Sequence, residues 1–196
     1  MKSLITALIP LLSFSFAFVA CSLRPASAPA PSSSSPSPEI TPQISSSGSV
    51  TDSNPVVAIN TRHGQIVLRL YQSQCPKTVA NFLKKIQSGF YRNLTFHRVE
   101  PGFVVQGGDP LGNGTGGGKI ISEINQTPFR RGSLGLARGP IKVESNDSQF
   151  FICLADASCA PLTGEYVNFG EVISGMELVD KIVVGDKITD VIDKTK

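Results

Sequence analysis

The chain of 196 residues is 40% hydrophobic and 17% charged, ordinary values for one folded domain that exclude disorder throughout. Eighteen Lys and Arg against fifteen Asp and Glu leave a net charge of +3, too small and too scattered for a nucleic-acid binder. Four Cys exclude a disulfide-dense scaffold, and no apolar run is long enough for a polytopic membrane protein.

Lys2 precedes an uncharged run of 17 residues, Leu4 to Ala20. A basic start and a short apolar stretch suit a secretory signal better than a spanning helix, which needs about 20 residues. Residues 1–20 are therefore read as a signal peptide. Ala20 directly before Cys21 resembles a bacterial lipobox, in which the Cys is lipidated and anchors the mature chain to a membrane. Phe18 stands where Leu is usual. The alternative is a plain signal peptide or an uncleaved anchor with an incidental Cys. Residues 22–53 hold 12 Ser and 6 Pro in 32 positions without apolar periodicity. The segment 21–53 is thus expected to be a disordered linker with a reach of roughly 30 Å. Such a chain would be exported, with its domain in the periplasm or outside the cell.

Residues 54–196 are expected to form the folded domain. Val56–Ile59 and Gln65–Leu70 read as strands joined at His63-Gly64. Pro76 opens a helix whose Val79, Phe82, Leu83 and Ile86 share one face, and Gly89 stops it. Short strands are expected at Leu94–Val99, Val104–Gly107, Ser133–Ala137, Phe150–Leu154 and Val167–Val172, then a helix around Met176–Ile182. Many short strands with two helices point to an antiparallel barrel or sandwich.

Searches for common catalytic devices return little. His63 and His97 lie in no metal-ligand spacing, and Cys75, Cys153 and Cys159 form no CxxC pair, so no metal site is expected. There is no GxSxG. The run Gly112–Lys119 lacks the Ser or Thr of a phosphate loop, since Ile120 stands there, and reads as a glycine-rich surface loop. What remains is a dense run from Phe96 to Asp109 that sets Arg98 and Gln106 among apolar residues, with a second run from Ser148 to Ile152.

The blocks FHRVEPGFVVQGGDP, GNGTGGG, GSLGLARG, NDSQFFI and NFGEV, in that order, resemble the cyclophilin-type peptidyl-prolyl cis–trans isomerases across essentially all of residues 54–196. The resemblance implies an eight-stranded antiparallel β-barrel closed by two helices. It also implies an isomerase that needs no nucleophile, metal or cofactor and acts on proline-containing polypeptides. By that resemblance Arg98 is the catalytic cation and Gln106 orients it. Phe103, Val104 and Phe151 form the pocket for the proline ring, with Leu162 at its edge. Ala137, Arg138 and Gln149 line the adjoining groove. Taken singly, each apolar residue reads as barrel core and Arg98 as a surface or salt-bridged Arg. Only the joint pattern favours a site. His97 reads as structural.

Several features depart from the family pattern. The chain has no Trp, although many relatives carry one just before the position of Leu162. The segment Ala157–Leu162 is about two residues longer than usual, and Tyr166 stands among the substrate-binding residues near the pocket in place of a common His. Weak cyclosporin binding with retained isomerase activity is therefore expected. In an oxidising compartment a Cys75–Cys159 disulfide is expected, because both residues lie at element ends, with Cys153 a buried apolar residue. The alternative is three unpaired thiols. The domain is expected to act as a monomer. A rival reading is a non-catalytic module that holds proline-containing segments in the same groove, favoured only by the altered loop.

Overall fold

The computed structural model describes residues 54–195. The expected signal peptide 1–20, Cys21 and the linker 21–53 lie outside the described residues. Strands β1 (Val56–Thr61) and β2 (Gly64–Leu70) form the expected hairpin, with Thr61 opposite Gly64. Gly64 has φ +128°, a backbone region that side chains rarely adopt.

Helix α1 (Pro76–Gln87) follows, and it buries Val79, Phe82 and Ile86. Cys75, at its N-cap, makes no side-chain cap bond. Instead the Glu123 carboxylate accepts hydrogen bonds from the backbone N–H groups of Lys77 (3.0 Å) and Thr78 (2.7 Å). A distant carboxylate thus satisfies two of the free N–H groups and opposes the positive end of the helix dipole. At the other end Gly89, with φ +70°, donates to the carbonyl of Ile86, and Phe90 donates to that of Lys85. This is the Schellman closure that a left-handed glycine permits.

The remaining strands are β3 (Arg98–Glu100), β4 (Val104–Gly107), β5 (Lys119–Ile121), β6 (Ser133–Leu136), β7 (Glu144–Asn146), β8 (Phe150–Cys153), β9 (Val167–Ser174) and β10 (Ile188–Asp193). Eight strands form one antiparallel sheet in the order β10-β1-β2-β9-β6-β8-β4-β3, and β5 pairs separately with β7. The edge strands β3 and β10 share no ladder. Just beside them, a bridge between Thr95 and Lys187 and four backbone hydrogen bonds join segments 93–96 and 185–188. The architecture is mainly β, built on the eight-stranded antiparallel sheet that was expected.

The structure corrects several element boundaries. The strand expected at Leu94–Val99 shrinks to the Thr95 bridge and β3. The helix expected around Met176–Ile182 is a single turn, α3 (Met176–Val179). The β-branched pair Val183-Val184 and Gly185, at φ +92°, follow it and oppose continuation. A second one-turn helix, α2 (Asp156–Cys159), runs into a 3₁₀ turn at Ala160–Leu162. Among the described residues, no helix is long and apolar enough to cross a membrane.

Strand alternation sorts the apolar residues into two clusters. The inner cluster includes Ile59, Leu68, Phe82, Tyr91, Phe96, Val105, Leu134, Phe150, Ile152 and Phe169. The outer one contains Val104, Phe129, Phe151, Cys153 and Cys159, with Phe103, Leu162 and Tyr166 packed against it. This division overturns the expected Cys75–Cys159 bond. The disulfide joins Cys153 to Cys159, with Cα atoms 6.2 Å apart. Cys153 faces outward from β8, and the chain reverses through α2 to bring Cys159 back to it. Cys75 belongs to the inner cluster and stays a buried thiol. Burial, then the charge of Glu123, push that thiol up to about 12, although Asn125 donates a hydrogen bond to its sulfur.

Candidate active site

The outer cluster borders a pocket of about 150 Å³ lined by Arg98, Phe103, Val104, Gln106, Ala137, Arg138, Phe151, Leu162 and Tyr166. Of the residues singled out from sequence for catalysis and substrate binding, only Gln149 is outside this lining, and it touches the pocket through Gln106. The placement follows from register. Arg98 lies opposite Gln106 in the β3–β4 ladder, and Gln106 lies opposite Phe151 in the β4–β8 ladder. Residues two apart on a strand share a face, so Arg98 and Glu100 on β3 stand beside Val104 and Gln106 on β4.

A chain of polar contacts crosses one side of the pocket. The Arg98 Nη1 donates to Gln106 Oε1 at 3.0 Å, and Gln106 Nε2 donates to Gln149 Oε1 at 3.0 Å. Gln149, only 3% exposed, passes its Nε2 hydrogen bonds to the carbonyls of Gly116 (2.8 Å) and Gly114 (3.2 Å). Gln106 is thereby held by two neighbours, and its side-chain amide cannot turn without breaking both contacts. On its other edge the guanidinium donates from Nε and Nη2 to Glu100 Oε1, at 2.9 and 2.7 Å. The Phe103 ring lies 5.8 Å from the guanidinium carbon.

The apolar side is built from aromatic rings. Phe151 stacks on Phe129 at 5.7 Å and meets Tyr166 edge-on at 5.8 Å. The Arg138 guanidinium sits 4.5 Å over the Tyr166 ring, and its Nε donates to the Glu165 carbonyl at 3.0 Å. Leu162 arrives on the 3₁₀ turn directly after Cys159, so the disulfide ties this wall to β8. The altered loop is thus a fastened one.

Three contributors escaped the sequence reading. Phe129 backs Phe151, and Glu100 grips Arg98. Gly135 lies opposite Phe151 in the β6–β8 ladder, and a Cβ there would come within 2.1 Å of the Phe151 ring. Only glycine lets the ring lie flat across β6 at that point. Gly135 was inside a quoted block, and Glu100 is two residues from Arg98 on one strand, so both carried a signal in register alone.

The glycine-rich loop points its backbone inward. Asp109 is 1% exposed and accepts hydrogen bonds from the N–H groups of Leu111, Asn113 and Gly114. Burial works against its charge, yet these three donors and the neighbouring His97 hold its carboxyl below the usual range. Within the loop itself, the N–H groups of Asn113 and Gly114 are taken by this anchor, and that of Gly118 by Asp147. His97 has both ring nitrogens buried without a hydrogen-bond partner, and burial pushes its imidazole below the ordinary value despite the pull of Asp109. Among the described residues no group of three His, Cys, Asp or Glu side chains gathers as a metal site would require.

Residues 56–195 match the family model for cyclophilin type peptidyl-prolyl cis-trans isomerase/CLD. A peptidyl-prolyl cis-trans isomerase of Helicobacter pylori is 41% identical over 140 residues, covering 68% of this chain and 83% of that protein. One from Synechococcus elongatus is 42% identical over 137 residues, covering 68% and 92%. The crystal structure of a Cryptosporidium parvum cyclophilin type isomerase superposes with a TM-score of 0.66 at 35% identity, over 73% of this chain and 99% of that one. A second crystal structure of that protein, in the presence of the dipeptide Ala-Pro, gives 0.65 at 34% identity, over 72% and 99%. The chain therefore belongs to the cyclophilin family and is a cyclophilin-type peptidyl-prolyl cis–trans isomerase.

Proposed function

We propose that the enzyme accelerates X-Pro rotation by holding the proline ring in the Phe103–Val104–Phe151–Leu162 pocket while Arg98 stabilises the twisted amide. The barrier to rotation is ~18–20 kcal/mol because amide resonance must be broken. In the twisted state the prolyl nitrogen loses conjugation and gains a lone pair. A hydrogen bond from Arg98 to that lone pair is strong only in the transition state, which is the condition for raising the rate. Each ~1.4 kcal/mol so gained is about tenfold. Arg suits the task, since it stays charged and presents its donors in a rigid fork. Gln106 fixes the fork, while Ala137, Arg138, Gln149 and Tyr166 border the groove for the residues before proline.

The observation that carries this reading is the position of the Arg98 guanidinium, on the pocket wall and hydrogen-bonded to Gln106 at 3.0 Å. Clients would be proline-containing proteins maturing outside the cytoplasmic membrane. Supporting that compartment are the apolar run ending at Ala20-Cys21, the Ser/Pro-rich linker after it, and the disulfide, a bond that persists in oxidising spaces. Cyclosporin would bind weakly, because the pocket edge presents Leu162 after Pro161 and the chain has no Trp.

The test is a protease-coupled isomerisation assay on the purified protein beside Arg98→Ala. The substitution should lower kcat/KM about 100-fold or more, in line with removal of a positioned donor to a developing charge. Full activity in Arg98→Ala would refute the role of Arg98. No acceleration by the folded wild type on several X-Pro peptides would favour a binding module instead.

A further inference from the structure

We propose that Glu100 is a positioning residue for Arg98, a clamp on the guanidinium edge opposite Gln106 that aims its remaining donors into the pocket. The inference rests on Arg98 being the catalytic cation.

Arg98 carries five N–H donors. Glu100 Oε1 takes one from Nε at 2.9 Å and one from Nη2 at 2.7 Å, and Gln106 Oε1 takes one from Nη1 at 3.0 Å. Five minus these three leaves two, one on each Nη, at the end of the fork. A planar group gripped on two edges has a fixed plane. With Gln106 alone, Arg98 would keep a single contact and could pivot about it.

The strand geometry makes the clamp local. Glu100 is two residues from Arg98 on β3, on the same face, and lies opposite Val104 in the ladder. No loop has to move to bring the two together. The pair is half exposed, with side-chain accessibilities of 41% for Arg98 and 50% for Glu100. An ion pair so exposed adds little to stability. Its main consequence is therefore the orientation of the cation. The carboxylate also draws the guanidinium toward itself, so it restrains a long side chain that has several rotamers to lose.

Removing the acceptor should slow the chemical step more than it weakens peptide binding, since the pocket that holds the proline ring is untouched. An amide at the same place keeps an oxygen for Nε and Nη2, so Glu100→Gln should restore the grip without the charge.

The experiment measures isomerisation kinetics on an X-Pro peptide with the full chain as wild type, E100A, E100Q, R98A and the double variant R98A/E100A. Thermal unfolding confirms that each is folded. The expected result is a fall in kcat of about 5–10-fold for E100A with KM within twofold, recovery to at least half of wild type in E100Q, and no further loss when E100A is added to R98A. Wild-type or higher kcat in E100A, or E100Q as slow as E100A, would overturn the clamp while R98A still collapses. An active R98A would instead overturn the reading of Arg98 on which the clamp depends.

Discussion

Phe150 and Phe151 are neighbours on one strand and belong to different parts of the molecule. Phe150 points inward, is 0% exposed, and meets Phe82, Tyr91 and Phe96 edge-on at 5.8, 5.9 and 6.5 Å. Phe151 points outward, is 5% exposed, stacks on Phe129, and lines the candidate pocket. The same alternation sends Val105 inward and Val104 and Gln106 toward the site. The core and the candidate site thus lie on opposite faces of one set of strands. The inner face is enclosed by aromatic packing from α1 and β9, whereas the outer face is left open on one side for a ligand.

That contrast can be broken first at the two rings themselves. Phe150→Ala should destabilise the fold by about 3–5 kcal/mol, the usual cost of emptying an enclosed aromatic site. Phe151→Ala should cost about 1–2 kcal/mol, because its ring already borders a cavity, but should lower kcat/KM tenfold or more. Denaturant unfolding and peptide isomerisation on both variants would check this, and equal stability losses would contradict the division of faces. A subtler probe is Gly135→Ala. Its Cβ would press on the Phe151 ring and drive it into the pocket, with a stability cost of about 1–3 kcal/mol and a clear fall in kcat/KM. Retained activity with a shifted unfolding midpoint would show that the ring can yield without closing the pocket. The smallest effect on activity is expected from Cys159→Ser. Opening a loop closed by cysteines six positions apart should remove about 2 kcal/mol of stability and reduce isomerase activity only two- to threefold, through a looser Leu162 wall. Unfolding with and without reductant should show the same difference in wild type and none in the variant.

Much of the inner face was legible in advance. The hairpin from Val56 to Leu70 and helix Pro76–Gln87 announce themselves through periodicity, a proline start and a glycine stop. The candidate site was legible only jointly. Arg98, Gln106 and Phe151 are unremarkable singly, and it is their order among the surrounding blocks that marks them. What escaped depends on contacts distant in sequence. Strands β5 and β7 are three residues each and exist by pairing with one another, so neither has a pattern long enough to read. The cysteine pairing depended on which face of β8 carries Cys153, and element ends alone could not supply that. The cap of α1 comes from Glu123, more than forty residues away, and no capping signature at Cys75 foretells it.

The central claim is that Arg98 favours the twisted amide over the planar one, while the pocket around Phe151 binds both. The most direct test compares binding with catalysis in wild type and Arg98→Ala, by exchange NMR on a single Ala-Pro-containing peptide. The account predicts peptide affinity within a few-fold of wild type and interconversion on the enzyme slowed about 100-fold or more. Affinity and interconversion falling by the same factor would contradict it, and would make Arg98 a part of the pocket rather than of the chemistry.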